Sequence, residues 1–212
     1  MNTQNNCRER YMEIKFEEID KHEPSMEFLN DEKIVTIIKR SFDESLSDKY
    51  DEWKLFSKHE LLEKIVKALY ELIKEKWSEY DYLGSLGSSG APLTYLLSTT
   101  YGKDAIFIND DWGVTGLFQP VKPHDIKVKN KKILLVDSVF ESGLTACNGI
   151  DTLKTRATEE NGKVNIDVLV ITFFPESTDQ TFVKGYKGCT LHYLYYWDED
   201  VKKEANDKGI IQ

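Results

Sequence analysis

The stretch Lys132–Gly149, KILLVDSVFESGLTACNG, changes its pattern halfway along. Ile133–Val136 form an unbroken apolar run, the signature of a strand buried on both faces. Asp137 ends the run and places a carboxylate at the carboxyl end of that strand. The next residues, Glu141-Ser142-Gly143-Leu144-Thr145, lead into a helix with Leu144, Cys147, Ile150 and Leu153 along one side. Gly143 lets the backbone turn sharply and approach a ligand closely. Successive backbone N–H groups there form a nest, and the helix N-terminus adds its positive end. Ser142 and Thr145 bring hydroxyl donors. An anion held this way needs no lysine. The residues alone also allow a simpler arrangement, a core strand followed by a helix start that Ser142 or Thr145 caps.

Working outward, the same alternation recurs. YDYLGSLG reads as a short strand entering a turn, and SSGAPLTYLLSTTYG as a glycine turn and a helix with proline near its start. AIFIND, VNIDVLVITFFPE and the aromatic TLHYLYYWD read as further strands. DWGVTGLFQPVKPHDIKVKN is a long loop or hairpin. Before them, Leu62, Ile65, Val66, Leu69, Ile73 and Trp77 recur at helical spacing, as in a helix packed on a sheet. Strands alternating with helices from Tyr80 to Pro175 predict an α/β fold, a parallel central sheet flanked by helices with a Rossmann-like core. Ligands of such sheets bind beyond the carboxyl ends of the strands. Residues 1–57 are irregular and charged, with a helix candidate at DEKIVTIIKRSF, and read as a cap or partner-binding segment ahead of the domain at 58–212.

The chain has 212 residues, enough for one α/β domain with a proper core. A formal net charge of -9 argues against broad attraction to nucleic acid. The 3 cysteines form no CxxC pair, which argues against structural zinc or a disulfide framework and for a reduced, cytoplasmic setting. The longest apolar run, VLVITFF, is far too short to span a bilayer, and the polar N-terminus has no signal-peptide core.

ILLVDSVFESGLT resembles, position by position, the phosphoribosyl-pyrophosphate (PRPP) motif of type I phosphoribosyltransferases. That motif runs from four apolar residues through two acids and two mostly apolar residues to a threonine- and glycine-rich phosphate loop. Ile133–Val136 match its strand, Asp137 its first acid, and Gly143 and Thr145 its loop. LGSLGSSGAPLTYLLS is similar to the upstream pyrophosphate-binding loop and following helix, most like those of orotate phosphoribosyltransferases. The resemblance runs from about Tyr80 to Pro175 and leaves the N-terminal segment uncovered.

The resemblance implies a type I fold with a small variable hood built from the termini, and PRPP-dependent phosphoribosyl transfer to a nucleobase with release of pyrophosphate. It places the 5′-phosphate on Glu141, Ser142, Gly143, Leu144 and Thr145. It places the ribose hydroxyls on Asp137, the pyrophosphate on the loop of Gly87, Ser88, Ser89 and Gly90, and a magnesium ion (Mg2+) beside Asp137. Members of the family are usually dimers, and an aromatic C-terminal strand suits a homodimer.

Two departures stand out. Ser138 replaces the second acid, as uracil phosphoribosyltransferases also lack it. Glu141 stands where hypoxanthine–guanine enzymes carry an aspartate beside the base, which makes it a candidate general base. At the end of AIFIND, Asn109-Asp110-Asp111 stands where orotate enzymes carry basic residues; Lys122, Lys127, Lys129, Lys131 and Lys132 substitute if the loop folds over, although such lysines more often form a solvated turn before a strand. Phe140, Tyr186, Tyr193, Tyr195, Tyr196 and Trp197 offer ring surfaces for a base, although an aromatic strand is more often core or dimer interface than a base clamp.

Two other functions compete. A fold that keeps the nest but loses transfer would bind PRPP or a nucleotide as a sensor or interaction module, signalling through residues 1–57 or a partner. A hydrolase would use Gly87-Ser88-Ser89-Gly90-Ala91 as a nucleophile turn, with His192 as base oriented by Asp137 or Asp167.

Overall fold

A computed structural model describes residues 13–16, 56–57, 59–109, 113–116, 126–175, 178–179, 183, 185–186 and 188–196. Among the described residues seven strands form one sheet: β1 (Glu13–Lys15), β2 (Tyr82–Leu86), β3 (Ala105–Asn109), β4 (Gly113–Gly116), β5 (Lys132–Phe140), β6 (Asn165–Phe173) and β7 (Thr190–Tyr196). Three long helices cover it: α1 (His59–Ile73), α2 (Gly87–Tyr101) and α3 (Leu144–Glu159). Among the described residues no helix is long and apolar enough to cross a membrane.

The strand order is β1-β7-β6-β5-β2-β3-β4. The five central strands run parallel, as the alternating pattern predicts, and β1 and β4 close the two edges antiparallel. Both edge strands are additions to the sequence reading. β4 is one arm of a hairpin with β3, inside the segment read as a loop or hairpin. β1 comes from the segment 1–57 and brings the fully buried Phe16 into the core. The helix candidate at DEKIVTIIKRSF and most of the expected hood lie outside the described residues.

Alternation explains why β5 and β6 look apolar throughout. Ile133 and Leu135 of β5, with Val168 and Val170 of β6, pack toward α3. Leu134 and Val136, with Leu169 and Ile171, pack toward α1 and α2. The stripe of α1 is buried as predicted, from Leu62 through Ile73, and Trp77 continues it in a short 3-10 turn. Cys147, Ile150 and Leu153 are the inner face of α3, completed by Ala146 and Ala157. Leu144 is a correction: it is 43% exposed, because the first residue of α3 projects past the sheet.

Connectivity makes a crevice at one end of the sheet. β2 and β5 are neighbours, yet the chain leaves β2 toward β3 and leaves β5 toward β6. Right-handed crossovers in opposite directions put α2 and α3 on opposite faces. The gap between their N-termini opens at the carboxyl ends of β2 and β5, the topological switch point of the sheet.

Candidate active site

A cleft of about 200 Å³ lies at this switch point. Leu86, Ala146, Val168 and Val170 give it an apolar floor, and Asp137, Glu141, Ser89, Ser138, Ser142 and Thr145 bring polar side chains. Phe140, Val139 and Gly143 complete the described lining, which contains no lysine, arginine or histidine. Of the residues singled out in the sequence, Ser89, Asp137, Glu141, Ser142, Gly143 and Thr145 thus meet in one place. Leu144 and the other members of the Gly87–Gly90 segment fall outside the described lining.

Asp137 continues the alternation of Ile133 and Leu135 and is 6% exposed at the cleft. Its Oδ1 accepts hydrogen bonds from the Ser89 hydroxyl at 2.6 Å and the Ser138 backbone N–H at 2.7 Å. Two donors on one carboxylate oxygen fix the orientation of the group. Ser138 is fully buried. It contributes a backbone donor to the neighbouring carboxylate where the family motif has a second acid.

The segment expected as a pyrophosphate loop is helical here. α2 begins at Gly87, which has φ +57°, so Ser88–Gly90 form the first turn of the helix. The first N–H groups of a helix have no carbonyl one turn earlier to bond. They therefore keep the anion-binding character expected of a loop. Gly90 has a packing reason as well. A Cβ there would overlap the Val136 carbonyl oxygen, so only glycine lets α2 sit this close to the end of β5.

The second loop, Glu141–Gly143, turns through Gly143 at φ +79° into α3. Glu141 and Ser142 are exposed, whereas Gly143 is buried. The Leu144 N–H donates to Ser142 Oγ at 3.3 Å. Two residues that sequence reasoning missed hold this loop from behind. The Thr178 hydroxyl donates to the Glu141 carbonyl at 2.7 Å, and the Asp179 N–H donates to the Ser142 carbonyl at 3.0 Å. In the sequence PESTDQ these two residues carry only a turn signal.

Other expectations are corrected. Lys131 pairs with Asp81 at 2.8 Å, and Lys132 with Glu79 at 2.7 Å and Asp167 at 3.4 Å. These partners sit at the amino ends of β2, β5 and β6, away from the cleft. The Asp81 contact holds the Lys131 ammonium above its ordinary range and, with the Lys132 N–H, holds the Asp81 carboxyl below its own. Lys127 and Lys129 are exposed in the turn before β5. Lys122, Asp110 and Asp111 lie outside the described residues, and so does Trp197. Tyr193 and Tyr196 are buried against Phe173, and Tyr195 is buried with the apolar stripe of α1 on the other face of the sheet. Tyr186 is half-buried, its hydroxyl on Asp151 Oδ2 of α3 at 2.7 Å. Ser89 donates its hydrogen bond to Asp137 while His192 is fully buried on β7, with β6 between that strand and β5. The hydrolase arrangement is therefore not assembled.

No protein-family model matches the chain, and no curated protein does. Solved structures match it by shape. Adenine phosphoribosyltransferase from Leishmania tarentolae superposes with a TM-score of 0.62 at 16% identity, over 86% of this chain and 97% of that one. Orotate phosphoribosyltransferase from Aeropyrum pernix gives 0.58 at 15% identity, over 83% and 98%. The orotate phosphoribosyltransferase of Mycobacterium tuberculosis, solved in complex with PRPP, gives 0.59 at 16% identity, over 77% and 94%. The chain has the type I phosphoribosyltransferase fold, in a divergent form.

Proposed function

We propose that the chain transfers the phosphoribosyl group of PRPP to a nucleobase and releases pyrophosphate. The observation that carries this proposal is the convergence of Asp137, the Glu141–Thr145 loop and Ser89 on one cleft at the switch point. The 5′-phosphate would sit on Glu141–Thr145, the ribose hydroxyls on Asp137, and the pyrophosphate toward Ser88–Gly90. A nitrogen of the base attacks C1 of the ribose. The bond from C1 to the pyrophosphate oxygen breaks, and pyrophosphate leaves with the electron pair. Glu141, exposed beside the cleft, takes the proton of the base nitrogen. The Asp137 carboxylate favours the positive charge that develops on the sugar.

Magnesium fits this donor set in one specific way. Among the described residues no three acidic, histidine or cysteine side chains gather. Magnesium keeps several waters and takes one or two carboxylates beside substrate phosphates, and Asp137, which lines the cleft, would be the carboxylate to contact it. Bound there, it would neutralise the departing pyrophosphate, which the described lining of the cleft leaves without a basic partner.

A second reading has its own observation. Ser138 stands for an acid, and the described lining holds two carboxylates and no base. A cleft built so could retain PRPP or a nucleotide as a signal without transfer, with residues 1–57 as the partner-binding segment. Calorimetric titration with PRPP, with and without magnesium, tests both. A pyrophosphate-release assay follows, over orotate, uracil, adenine, hypoxanthine and guanine. Binding with release supports the enzyme, binding without release selects the sensor, and no binding overturns both. We also propose a homodimer, checked by sedimentation, and a reducing cytoplasmic setting, in which the buried Cys147 and Cys189 remain thiols.

A further inference from the structure

We propose, resting on the phosphate reading of Glu141–Thr145, that Thr178 and Asp179 are positioning residues that shape this loop into an anion nest. Both lie beyond β6, outside the loop and outside the described lining of the cleft. A peptide unit is planar and trans, so its carbonyl and its N–H point in opposite directions. Fixing the carbonyl of one residue therefore aims the N–H of the next. Three successive carbonyls of the loop are fixed by donors. Glu141 O accepts from the Thr178 hydroxyl at 2.7 Å, Ser142 O from the Asp179 N–H at 3.0 Å, and Gly143 O from the Cys147 N–H at 2.9 Å. Each fixed carbonyl thereby sets the direction of the N–H that follows it, those of Ser142, Gly143 and Leu144, the last of which also meets Ser142 Oγ at 3.3 Å.

Only the third of these donors comes from the loop's own helix. The other two come from Thr178 and Asp179, and described residues before and after them also contact this region. Before them the Phe174 N–H donates to the Phe140 carbonyl at 2.8 Å, continuing the β5–β6 ladder. Farther on, Tyr186 binds Asp151 on α3. The Thr178 hydroxyl also lies 2.8 Å from the Phe174 carbonyl, so its single proton is shared between two acceptors. Thr178 and Asp179 thus hold the loop, and Tyr186 holds the helix that the loop starts. A nest whose amides are oriented before the anion arrives spends less binding energy on ordering itself.

The test uses the full chain and two probes, ribose 5-phosphate and PRPP, titrated by calorimetry. Thr178→Val keeps the side-chain shape and removes the donor. It is expected to weaken both ligands about tenfold, the scale of one hydrogen bond, and Thr178→Ser to restore them. In the unsubstituted chain, saturating ribose 5-phosphate is expected to slow hydrogen exchange at the Asp179 amide. Unchanged affinity in a folded Thr178→Val variant overturns the positioning role and leaves the phosphate site standing. If that variant does not fold, the exchange measurement decides: a slowed Asp179 amide supports the role, an unchanged one overturns it. Failure of the unsubstituted chain to bind either probe overturns the phosphate reading itself, and the positioning role with it.

Discussion

The hydroxyl of Ser89 donates to Oδ1 of Asp137 across 2.6 Å, joining the first turn of α2 to β5 shortly before that strand ends at Phe140. The two residues are 48 positions apart in the chain and belong to the two halves of the proposed site. The bond couples the place assigned to pyrophosphate with the place assigned to ribose. It also leaves a mostly buried carboxylate with a fixed orientation.

Ser89→Ala removes one of the two donors seen on Oδ1. A hydrogen bond to a charged group contributes roughly 1.5–3 kcal/mol, and partial exposure of Ser89 puts this one toward the lower end. Unfolding in urea is expected to show a loss of about 1–2 kcal/mol. Affinity for PRPP is expected to fall about tenfold as the carboxylate loses its set direction. Unchanged PRPP affinity would separate Asp137 from the ligand site.

Gly90→Ala reverses the usual sign for a helix. Alanine in place of glycine ordinarily stabilises a helix interior by about 1 kcal/mol. Here the added methyl meets the Val136 carbonyl, a backbone atom that no rotamer change can move aside. A loss of about 3 kcal/mol is expected in urea unfolding. Gly102→Ala serves as a comparison. Its φ of +68° is strained for alanine, but the space around it is open, and a loss of about 1 kcal/mol is expected. Equal losses at the two positions would mean that α2 does not rest on β5 through Gly90.

Much of this architecture is legible in the chain because it is local. β5 and β6 announce themselves as unbroken apolar runs, since both of their faces are covered. The end of the β5 run puts Asp137 at the crevice without further information. β1 is three residues long, EIK, and owes its place to pairing with β7, about 175 residues away, so no local pattern marks it. The grip of Thr178 on Glu141 spans 37 positions and depends on where the chain emerges from β6. The aromatic residues of β7 suit a base-binding surface by composition, but an aromatic strand is more often core, and packing on both faces of the sheet makes Tyr193, Tyr195 and Tyr196 core here.

Alkaline conditions should destabilise the protein, and part of the effect is assignable. Burial, with the Asp151 charge nearby, raises the Cys147 thiol from 9.0 to about 11. Burial also raises Tyr186 and Tyr193. Below pH 9 the Cys147 thiol is protonated in both the folded and unfolded chain and adds no pH dependence. Between about 9 and about 11 the unfolded chain releases the proton and the folded chain keeps it, so stability falls as pH rises. Cys147→Ala should flatten this part of a plot of Tm against pH. An identical slope in the variant would place the alkaline transition elsewhere.

Gly143 offers the sharpest separation of the two halves of the site. At φ +79° a side chain is strained, and a Cβ would lie 2.9 Å from Val183 Cγ1 and 3.1 Å from Phe140 Cζ. Gly143→Ala should cost about 1–2 kcal/mol through the left-handed backbone alone, and Gly143→Val more, because a β-branched residue tolerates that region least. Both should abolish or sharply weaken binding of ribose 5-phosphate, since the loop must shift to accept them. Asp137→Asn leaves the backbone of the loop untouched. It should weaken PRPP, with and without magnesium, while inorganic phosphate binds as before. Calorimetry of the three variants against PRPP, ribose 5-phosphate and phosphate gives the pattern directly. Loss of phosphate binding in Asp137→Asn, or its retention in Gly143→Val, would mean that the anion does not sit on the loop at the start of α3.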